Sequence, residues 1–288
     1  MLINLQFVIN HSVLIMSILE KFSLAGKVIV VTGGTGVLGK NFVIALAEAG
    51  AKVCIIGRNS EVANERVRQV QELGGEGLAI SANVMDQESM IAAREEILAK
   101  WGTIDGLVNA AGGNIPGATI GPDQNLFASD IQDTIKAIEL NLFGSIIPTH
   151  IFGKIIAEKG AGAIVNIGSL SSSQAITRVL GYTVAKNAII GYTKWMATEL
   201  ALRYGDKVRV NAIAPGVFLT QQNKTLLTNP DGSYTPRAQR FIDGTPFSRL
   251  GDPSELEGTL VYLLSDASAF VSGETVYVDG GFNAWSGV

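Results

Sequence analysis

The chain has 288 residues, of which 47% are hydrophobic and 17% charged, with a formal net charge of −4. This composition is typical of a globular protein with a sizeable core, and the slight negative charge argues against nucleic-acid binding. One cysteine and two histidines exclude an internal disulfide framework and leave few ligands for a metal site, so we expect no bound metal.

The first 23 residues are interpreted as an extension ahead of the folded domain. Residues 1–16 are apolar but broken by polar side chains, and they lack a basic region and a cleavage site of small residues. A membrane-surface anchor is the alternative, but the segment carries no positive charge. Because no other segment approaches about 18 uninterrupted apolar residues, we expect a cytoplasmic protein with no membrane association.

From Lys27 onward, short β-branched runs alternate with amphipathic stretches of helical period. Strands are predicted at residues 28–32, 52–57, 77–80, 106–109, 162–167, 208–213 and 275–278. Helices are predicted at residues 36–49, 61–73, 86–100, 130–143, 145–159, 183–204 and 253–264. This alternation predicts an α/β fold, a doubly wound parallel sheet of Rossmann type, in a single domain over residues 24–288. The irregular segment 217–252 is predicted to be a substrate lid.

The first strand runs into a glycine-rich turn, VIVVTGGTGVLG at residues 28–39. Glycines permit a tight turn and a close approach of pyrophosphate, and the following helix N-terminus offers free N–H groups. An ordinary strand–turn–helix is the alternative. The residues predicted to form this dinucleotide loop are Gly33, Thr35, Gly36, Val37, Leu38 and Gly39.

The end of the second strand bears on the choice of cofactor. A carboxylate is expected there, about 20 residues past the loop, to bind the ribose of NAD. Gly57 occupies that position and Arg58 follows it. The guanidinium of Arg58 suits the 2′-phosphate of NADP, although a solvated surface arginine is the alternative.

Tyr182 and Lys186 are predicted to lie four residues apart on one helix face. A neighbouring ammonium group lowers the pKa of a phenol, which then exchanges a proton with an alcohol or ketone. Ser169 follows the strand at 162–167, where a hydroxyl meets the ligand crevice, and Asn141 is a polar group in an apolar helix. Taken singly, the serine also suits a turn and the asparagine a helix cap or a core amide.

Together these segments resemble the short-chain dehydrogenase/reductase family over residues 24–288. The matching pieces are TGGTGVLG (32–39), NAAGG (109–113), Asn141, Ser169, YTVAK (182–186), VNAIAPGVFLT (210–220) and VDGG (278–281). Two positions depart from the usual pattern: Val37 replaces a glycine, and Asn83 replaces an aspartate that touches adenine.

The resemblance implies roles for individual residues. Tyr182 would be the general acid/base, and Lys186 would lower its pKa and hold the nicotinamide ribose. Ser169 would polarise the substrate carbonyl, and Asn141 would organise a water-linked proton relay. The further cofactor-binding residues implied are Asn83, Val84, Asn109, Ala110, Ala111, Gly112, Pro215, Gly216, Val217 and Thr220. A homotetramer with residues 276–288 near a subunit interface is also implied.

Within the family, the segments NAAGGNIPGAT (109–119), FLTQQNKTLLT (218–228) and TPRAQRFIDGTPFSRLG (235–251), with the ending GGFNAWSGV, look like the D-mannonate oxidoreductase (fructuronate reductase) branch. Such a substrate is a sugar acid, which needs a carboxylate anchor and hydroxyl partners. The candidate substrate-binding residues are Asn114, Ser171, Arg178, Gln222 and Asn223, with Gln221, Lys224, Arg237 and Arg240 also available in the lid.

Several alternatives stay open at this point. The cofactor is NAD(H), which the branch favours, or NADP(H), which Arg58 favours. The alternative substrates are those of a gluconate or polyol dehydrogenase or of a 3-ketoacyl reductase. A protein of another class, a non-catalytic dinucleotide sensor, would retain the glycine loop but has no use for the Tyr182–Lys186 pair.

Overall fold

The computed structural model describes residues 17–220 and 223–288. Most of the predicted N-terminal extension, the lid residue Gln221 and the candidate substrate residue Gln222 therefore lie outside the described residues. Ahead of the first strand, a short 3-10 turn at Glu20–Phe22 leads to Leu24, whose side chain is fully buried in the core.

Seven parallel strands form one sheet in the order β3-β2-β1-β4-β5-β6-β7. Their β-branched and small residues suit strands that are covered on both faces. The strands are β1 (Val28–Thr32), β2 (Lys52–Gly57), β3 (Gly77–Ser81), β4 (Gly106–Asn109), β5 (Gly162–Ile167), β6 (Val208–Pro215) and β7 (Thr275–Val278). All seven predicted strands are present, which confirms the doubly wound parallel fold.

Nine helices connect the strands of the described chain. They are α1 (Val37–Glu48), α2 (Ser60–Glu72), α3 (Gln87–Trp101), α4 (Ile131–Ile138), α5 (Gly144–Lys159), α6 (Leu180–Tyr204), α7 (Lys224–Leu227), α8 (Pro236–Asp243) and α9 (Glu257–Leu264). Two separate apolar clusters, one containing Phe42 and Leu260 and the other Phe152 and Ile97, cover the sheet. The segment predicted to be an irregular lid contains α7 and α8.

The helices predicted at 130–143 and 145–159 are continuous, because a π-helical turn at Glu139–Phe143 joins α4 to α5. The joined helix, Ile131–Lys159, is long and apolar enough to cross a membrane by length and composition alone. However, 56% of its most apolar window is buried inside the fold, as in the core helix of a folded domain. This helix therefore packs beside the sheet and supports its central strands.

Strand order explains where the site lies. The chain proceeds from β1 outward through β2 and β3, then returns to place β4 on the other side of β1. A crevice opens at the carboxyl ends of the strands where such a sheet reverses direction. The glycine turn after β1 and the turn after β4, which reads AAGG at residues 110–113, meet at this crevice.

Candidate active site

The turn between β1 and α1 has no room for side chains at two of its glycines. Gly33 has a φ of +68°, and a Cβ there would lie 2.6 Å from the carbonyl oxygen of Ala110. A Cβ at Gly39 would lie 2.2 Å from the carbonyl oxygen of Gly33. The turn is held by a hydrogen bond from Gly36 N to Gly33 O of 2.9 Å. These close backbone contacts explain why the sequence is glycine-rich here.

The start of α1 is open to an anion. Gly36 precedes the helix, and no side chain caps it. The first N–H groups of a helix have no partner within it, and they lie at the positive end of the helix dipole. The residues present therefore fit the pyrophosphate of a dinucleotide.

A cavity of about 380 Å³ lies between this turn and the carboxyl ends of β4, β5 and β6. Many of the predicted site residues line it: Gly33, Gly36, Val37, Leu38, Gly39, Ala110, Gly112, Asn114, Ser169, Tyr182, Lys186, Pro215, Gly216, Thr220 and Asn223. The predicted residues outside this lining are Thr35, Arg58, Asn83, Val84, Asn109, Ala111, Asn141, Ser171, Arg178 and Val217. The fold thus brings the glycine turn and the candidate proton-transfer group into one cavity.

Tyr182 and Lys186 lie one turn apart near the start of α6, facing this cavity. Lys186 Nζ is 5.6 Å from the centre of the Tyr182 ring and donates a 2.7 Å hydrogen bond to the carbonyl oxygen of Ile167. The lysine is only 4% exposed, and burial lowers its pKa to about 8. The carbonyl of Ile167 therefore fixes the ammonium group at the end of β5.

Burial raises the pKa of Tyr182, and the neighbouring hydroxyl of Ser169 acts in the opposite direction. Ser169 begins a 3-10 turn, where its Oγ accepts a hydrogen bond of 3.1 Å from Ser171 N. Ser172 Oγ in turn accepts from Ser169 N, at 3.1 Å. This reciprocal capping fixes the serine hydroxyl beside the phenol. Lowering of the Tyr182 pKa by Lys186 stays a prediction.

Asn141 lies in the π-helical turn and is fully buried. Its Nδ2 donates to the carbonyl oxygen of Gly113 at 2.8 Å, and its Oδ1 accepts from Gly113 N at 2.9 Å. A third hydrogen bond joins Nδ2 to the carbonyl oxygen of Ala137 at 2.9 Å. In this structure the asparagine holds the loop after β4 in place. Its role in a proton relay stays a prediction.

Asn109 is the last residue of β4 and supports the start of the same loop. Its Nδ2 donates at 2.8 Å to both Thr149 Oγ1 and Asn166 Oδ1, within the buried layer between the sheet and α5. Asn166 Nδ2 continues the network to Thr193 Oγ1 at 2.9 Å. These side-chain bonds join β4 and β5 to both flanking helices, which rigidifies the floor of the cavity.

Thr35 covers the end of β2. A Cβ at Gly57 would lie between 2.3 and 2.9 Å from three side-chain atoms of Thr35. The threonine therefore occupies the space where the side chain of a carboxylate residue would begin. Arg58 is exposed. Asn83 Oδ1 accepts a 3.1 Å hydrogen bond from Met85 N, and Val84 is buried beside it.

The candidate substrate-binding residues differ in whether their side chains are free to bind a ligand in the cavity. Asn114 lines the cavity. Asn223 lines it too, but its Oδ1 accepts from Thr220 N and its Nδ2 donates to Phe218 O, both at 2.8 Å. Ser171 is only 2% exposed. Arg178 is half-buried, and its φ of +79° is unusual for a residue other than glycine.

Five lining residues were not among the predicted site residues: Gly113, Ile167, Gly168, Phe218 and Leu226. Gly113 and Gly168 adjoin predicted residues, so their position next to a strand end is a usable sequence signal. Leu226 offers no such signal, because it reaches the cavity only through the placement of α7. Among residues 17–220 and 223–288, no three His, Cys, Asp or Glu side chains group as metal ligands would.

The low pKa of Lys186 makes the stability of the free protein depend on pH. Between about pH 8 and 10.5 the unfolded lysine retains a proton that the folded one has lost, so stability rises with pH in this window. We expect wild type to gain up to about 1.4 kcal/mol per pH unit relative to Lys186→Met. Denaturant unfolding of both proteins without cofactor at pH 7 to 10 measures this difference. Parallel stability curves would contradict a lowered pKa of Lys186 in the folded protein.

Comparison with known proteins agrees with this geometry. Residues 35–283 match a family described as enoyl-(acyl carrier protein) reductase. The chain is 41% identical over 275 residues to the uncharacterized oxidoreductase UxuB of Bacillus subtilis, covering 92% of this chain and 98% of that one. The chain belongs to the short-chain dehydrogenase/reductase family, and it is an oxidoreductase of that class.

Two solved structures are similar over the whole fold. A proposed D-mannonate oxidoreductase from Haemophilus influenza, with bound NAD, is 36% identical with a TM-score of 0.85, and the match covers 92% of this chain and 98% of that one. A gluconate 5-dehydrogenase from Burkholderia cenocepacia, in complex with NADP and tartrate, is 32% identical with a TM-score of 0.82, covering 93% and 100%. The first of these structures contains NAD and the second contains NADP.

Proposed function

We propose that this protein transfers a hydride between a nicotinamide cofactor, NAD(H) or NADP(H), and a keto or hydroxy sugar acid. The pair D-fructuronate and D-mannonate is the first candidate substrate. The observation that carries the proposal is the convergence of Ser169, Tyr182 and Lys186 on a cavity that begins at the open N-terminus of α1.

When bound, the nicotinamide cofactor would supply or accept the hydride. Tyr182 donates its phenolic proton to the carbonyl oxygen as that oxygen gains charge, and it takes the proton back in the reverse direction. Ser169, held by its own turn, donates a hydrogen bond to the same oxygen and orients the carbonyl. The ammonium group of Lys186 stabilises the phenolate and binds the ribose hydroxyls of the cofactor.

The glycine turn and α1 bind the pyrophosphate, while Pro215, Gly216 and Thr220 form the wall for the nicotinamide half. Residues 217–252 act as the lid, since Phe218, Asn223 and Leu226 of this segment line the cavity. The domain therefore consists of a rigid dinucleotide-binding sheet and a helical lid over the reacting carbonyl.

The substrate class is supported by the lid composition and by the relatives. A polar lid suits a polyhydroxy acid better than an acyl chain, and the two similar structures carry names of sugar-acid dehydrogenases. A gluconate or polyol dehydrogenase is the second candidate, since one relative of known structure is named a gluconate 5-dehydrogenase.

We further propose a cytoplasmic homotetramer. β7 is an edge strand with every residue half-buried, and the segment that follows it carries an exposed Trp285. Trp195, Leu202 and Phe270 add exposed apolar area elsewhere. Subunit contacts would cover such surfaces. Light scattering of the purified protein determines the number of subunits.

The test of the activity is a substrate panel. Purified protein is incubated with NADH or NADPH and with D-fructuronate, 5-ketogluconate, a neutral ketose or a 3-ketoacyl thioester. Oxidation of the cofactor is followed by the loss of its absorbance. We expect the sugar acids to be reduced with the highest kcat/KM. Preference for the thioester would reassign the substrate class, and cofactor binding without turnover of any ketone would support the sensor.

A further inference from the structure

The segment after β7 forms a turn that is folded by its own carboxylate. Asp279 Oδ1 accepts from Gly281 N at 2.9 Å, and its Oδ2 accepts from Asn283 N at 2.8 Å. The turn lies directly against a cavity residue, since a Cβ at Gly216 would be 2.7 Å from Cα of Asp279. Residues 279–283, which we call the C-terminal turn, therefore present the side chain of Asn283 beside the active site.

The side chain of Asn283 bonds to the loop that carries Ser169. This loop, residues 169–174, follows β5 and is called the Ser169 loop. Asn283 Oδ1 accepts from Ser173 Oγ at 2.6 Å and from Gln174 Nε2 at 3.3 Å, across more than 100 residues of chain. Within the loop, Ser173 N and Gln174 N both donate to the carbonyl oxygen of Leu170. The far end of the Ser169 loop is therefore attached to the C-terminal turn through a single amide oxygen.

Helix α6 holds the other side of the Ser169 loop. Ser172 Oγ donates to the carbonyl oxygen of Lys186 at 2.8 Å, and Asn187 Nδ2 donates to the carbonyl oxygen of Ser171 at 2.7 Å. The loop therefore lies between the helix of the candidate acid/base and the C-terminal turn. If the bonds to Asn283 are lost, one of these two attachments disappears while the other remains.

The C-terminal turn is itself fixed against the lid. Phe247 N donates to the carbonyl oxygen of Gly280 at 3.2 Å, and the ring of Phe282 lies 6.3 Å from the ring of Phe241 on α8. A Cβ at Gly244 would lie 2.9 Å from the Phe282 ring. Because packing on the lid side holds this turn, Asn283 is a fixed point against which the Ser169 loop is aligned.

We propose that Asn283 is a positioning residue, which holds the Ser169 loop so that the hydroxyl of Ser169 stays aligned with Tyr182 and the substrate carbonyl. This inference rests on the proposed carbonyl reduction. Asn283 does not line the cavity, so it acts through Ser169. Its loss should lower kcat, because the hydrogen bond of Ser169 to the carbonyl oxygen is misaligned, and it should leave the affinity for the cofactor unchanged.

The experiment removes the two hydrogen bonds from either side. Asn283→Leu lacks the acceptor, and we expect it to lower kcat for D-fructuronate by about 5- to 20-fold, the size of one to two neutral hydrogen bonds. Ser173→Val should cause a smaller loss, whereas the isosteric Ser173→Thr retains the hydroxyl and should restore kcat. Asn64→Leu, which removes a side-chain hydrogen bond to the carbonyl oxygen of Ser60 on α2, is the matched control.

A second set of variants distinguishes positioning from a general structural role. Ser169→Ala has no hydroxyl to align, so adding Asn283→Leu to it should lower kcat no further. A loss of the same size in both backgrounds shows that Asn283 acts independently of Ser169 and overturns the inference. Unchanged kcat in Asn283→Leu, or equal losses in Ser173→Val and Ser173→Thr, overturns it as well.

Amide hydrogen exchange tests the same role without turnover. The N–H groups of Ser169, Ser172 and Gln174 are hydrogen-bonded within the loop, so Asn283→Leu should speed the exchange of residues 169–174, whereas Asn64→Leu should not. Should no ketone be reduced, the proposed activity fails and this measurement alone decides whether Asn283 holds the loop. Equal protection of the loop in wild type and Asn283→Leu overturns the inference.

Discussion

Replacing Tyr182 with phenylalanine is expected to lower kcat by about 10²- to 10⁴-fold, because the variant has no proton to donate to the carbonyl oxygen. Lys186 keeps its hydrogen bond to Ile167 and the glycine turn is untouched, so the affinity for the cofactor should change little. Steady-state kinetics and a fluorescence titration with reduced cofactor measure the two effects separately. The ring of the variant retains the packing of the tyrosine, which keeps the fold intact.

Tyr192→Phe is the matched control. This second tyrosine lies on the same helix, and burial raises its pKa to about 12, while the neighbouring hydroxyl of Thr149 acts in the opposite direction. Within the described chain the two hydroxyls do not meet hydrogen-bond geometry. Losing the hydroxyl of Tyr192 should leave kcat near the wild-type value. Turnover of Tyr182→Phe within about tenfold of wild type would remove Tyr182 from the acid/base role, whereas equal losses in both variants would indicate general damage to α6.

The strands were predictable because each is a short run of β-branched, other apolar and small residues with a turn at its end. Val28–Thr32 and Val208–Pro215 are completely buried, as expected for central strands of a parallel sheet. The π-helical turn at Glu139–Phe143 was not predictable, since the apolar pattern continues through it. Its physical basis is tertiary: the amide of Asn141 forms three hydrogen bonds, two of them to the backbone of Gly113, 28 residues earlier.

The positions of the candidate proton-transfer residues were predictable from the order of elements along the chain. Ser169 follows a strand, and Tyr182 and Lys186 are spaced by one helical turn, so local rules place all three near the crevice. The contact between Thr35 and Gly57 was not predictable, because it joins two turns through side-chain packing. The positions of α7 and α8 in the segment 217–252 were not predictable either, since they depend on contacts between residues with no periodic pattern.

The second large effect concerns the choice of cofactor. Arg58 is exposed at the end of β2, with no carboxylate residue at position 57 to repel a 2′-phosphate. A charged hydrogen bond to that phosphate contributes about 1–3 kcal/mol, or roughly 5- to 150-fold in affinity. We therefore expect Arg58→Ala to weaken NADPH by this factor while NADH changes little. Arg68→Ala, on an exposed arginine paired with Glu65 in α2, is the control.

The converse change tests the steric contact that the structure reveals. A carboxylate at position 57 should favour NADH by binding the ribose hydroxyls and repelling a 2′-phosphate. Because the side chain of Thr35 fills the space beside Gly57, Gly57→Asp alone should weaken both cofactors. The double variant Thr35→Gly/Gly57→Asp should instead bind NADH more tightly than NADPH.

Michaelis constants for both cofactors are measured in wild type, the two single variants and the double variant. They distinguish a phosphate contact of Arg58 from a steric effect of Thr35. If Arg58→Ala weakens NADH and NADPH equally, Arg58 contacts only the shared adenosine or the solvent, and NAD(H) becomes the better assignment. If Gly57→Asp alone already favours NADH with full affinity, the threonine moves aside without cost and the steric reasoning is wrong. A preference that changes only in the double variant assigns the discrimination to the contact between the β1–α1 turn and the end of β2.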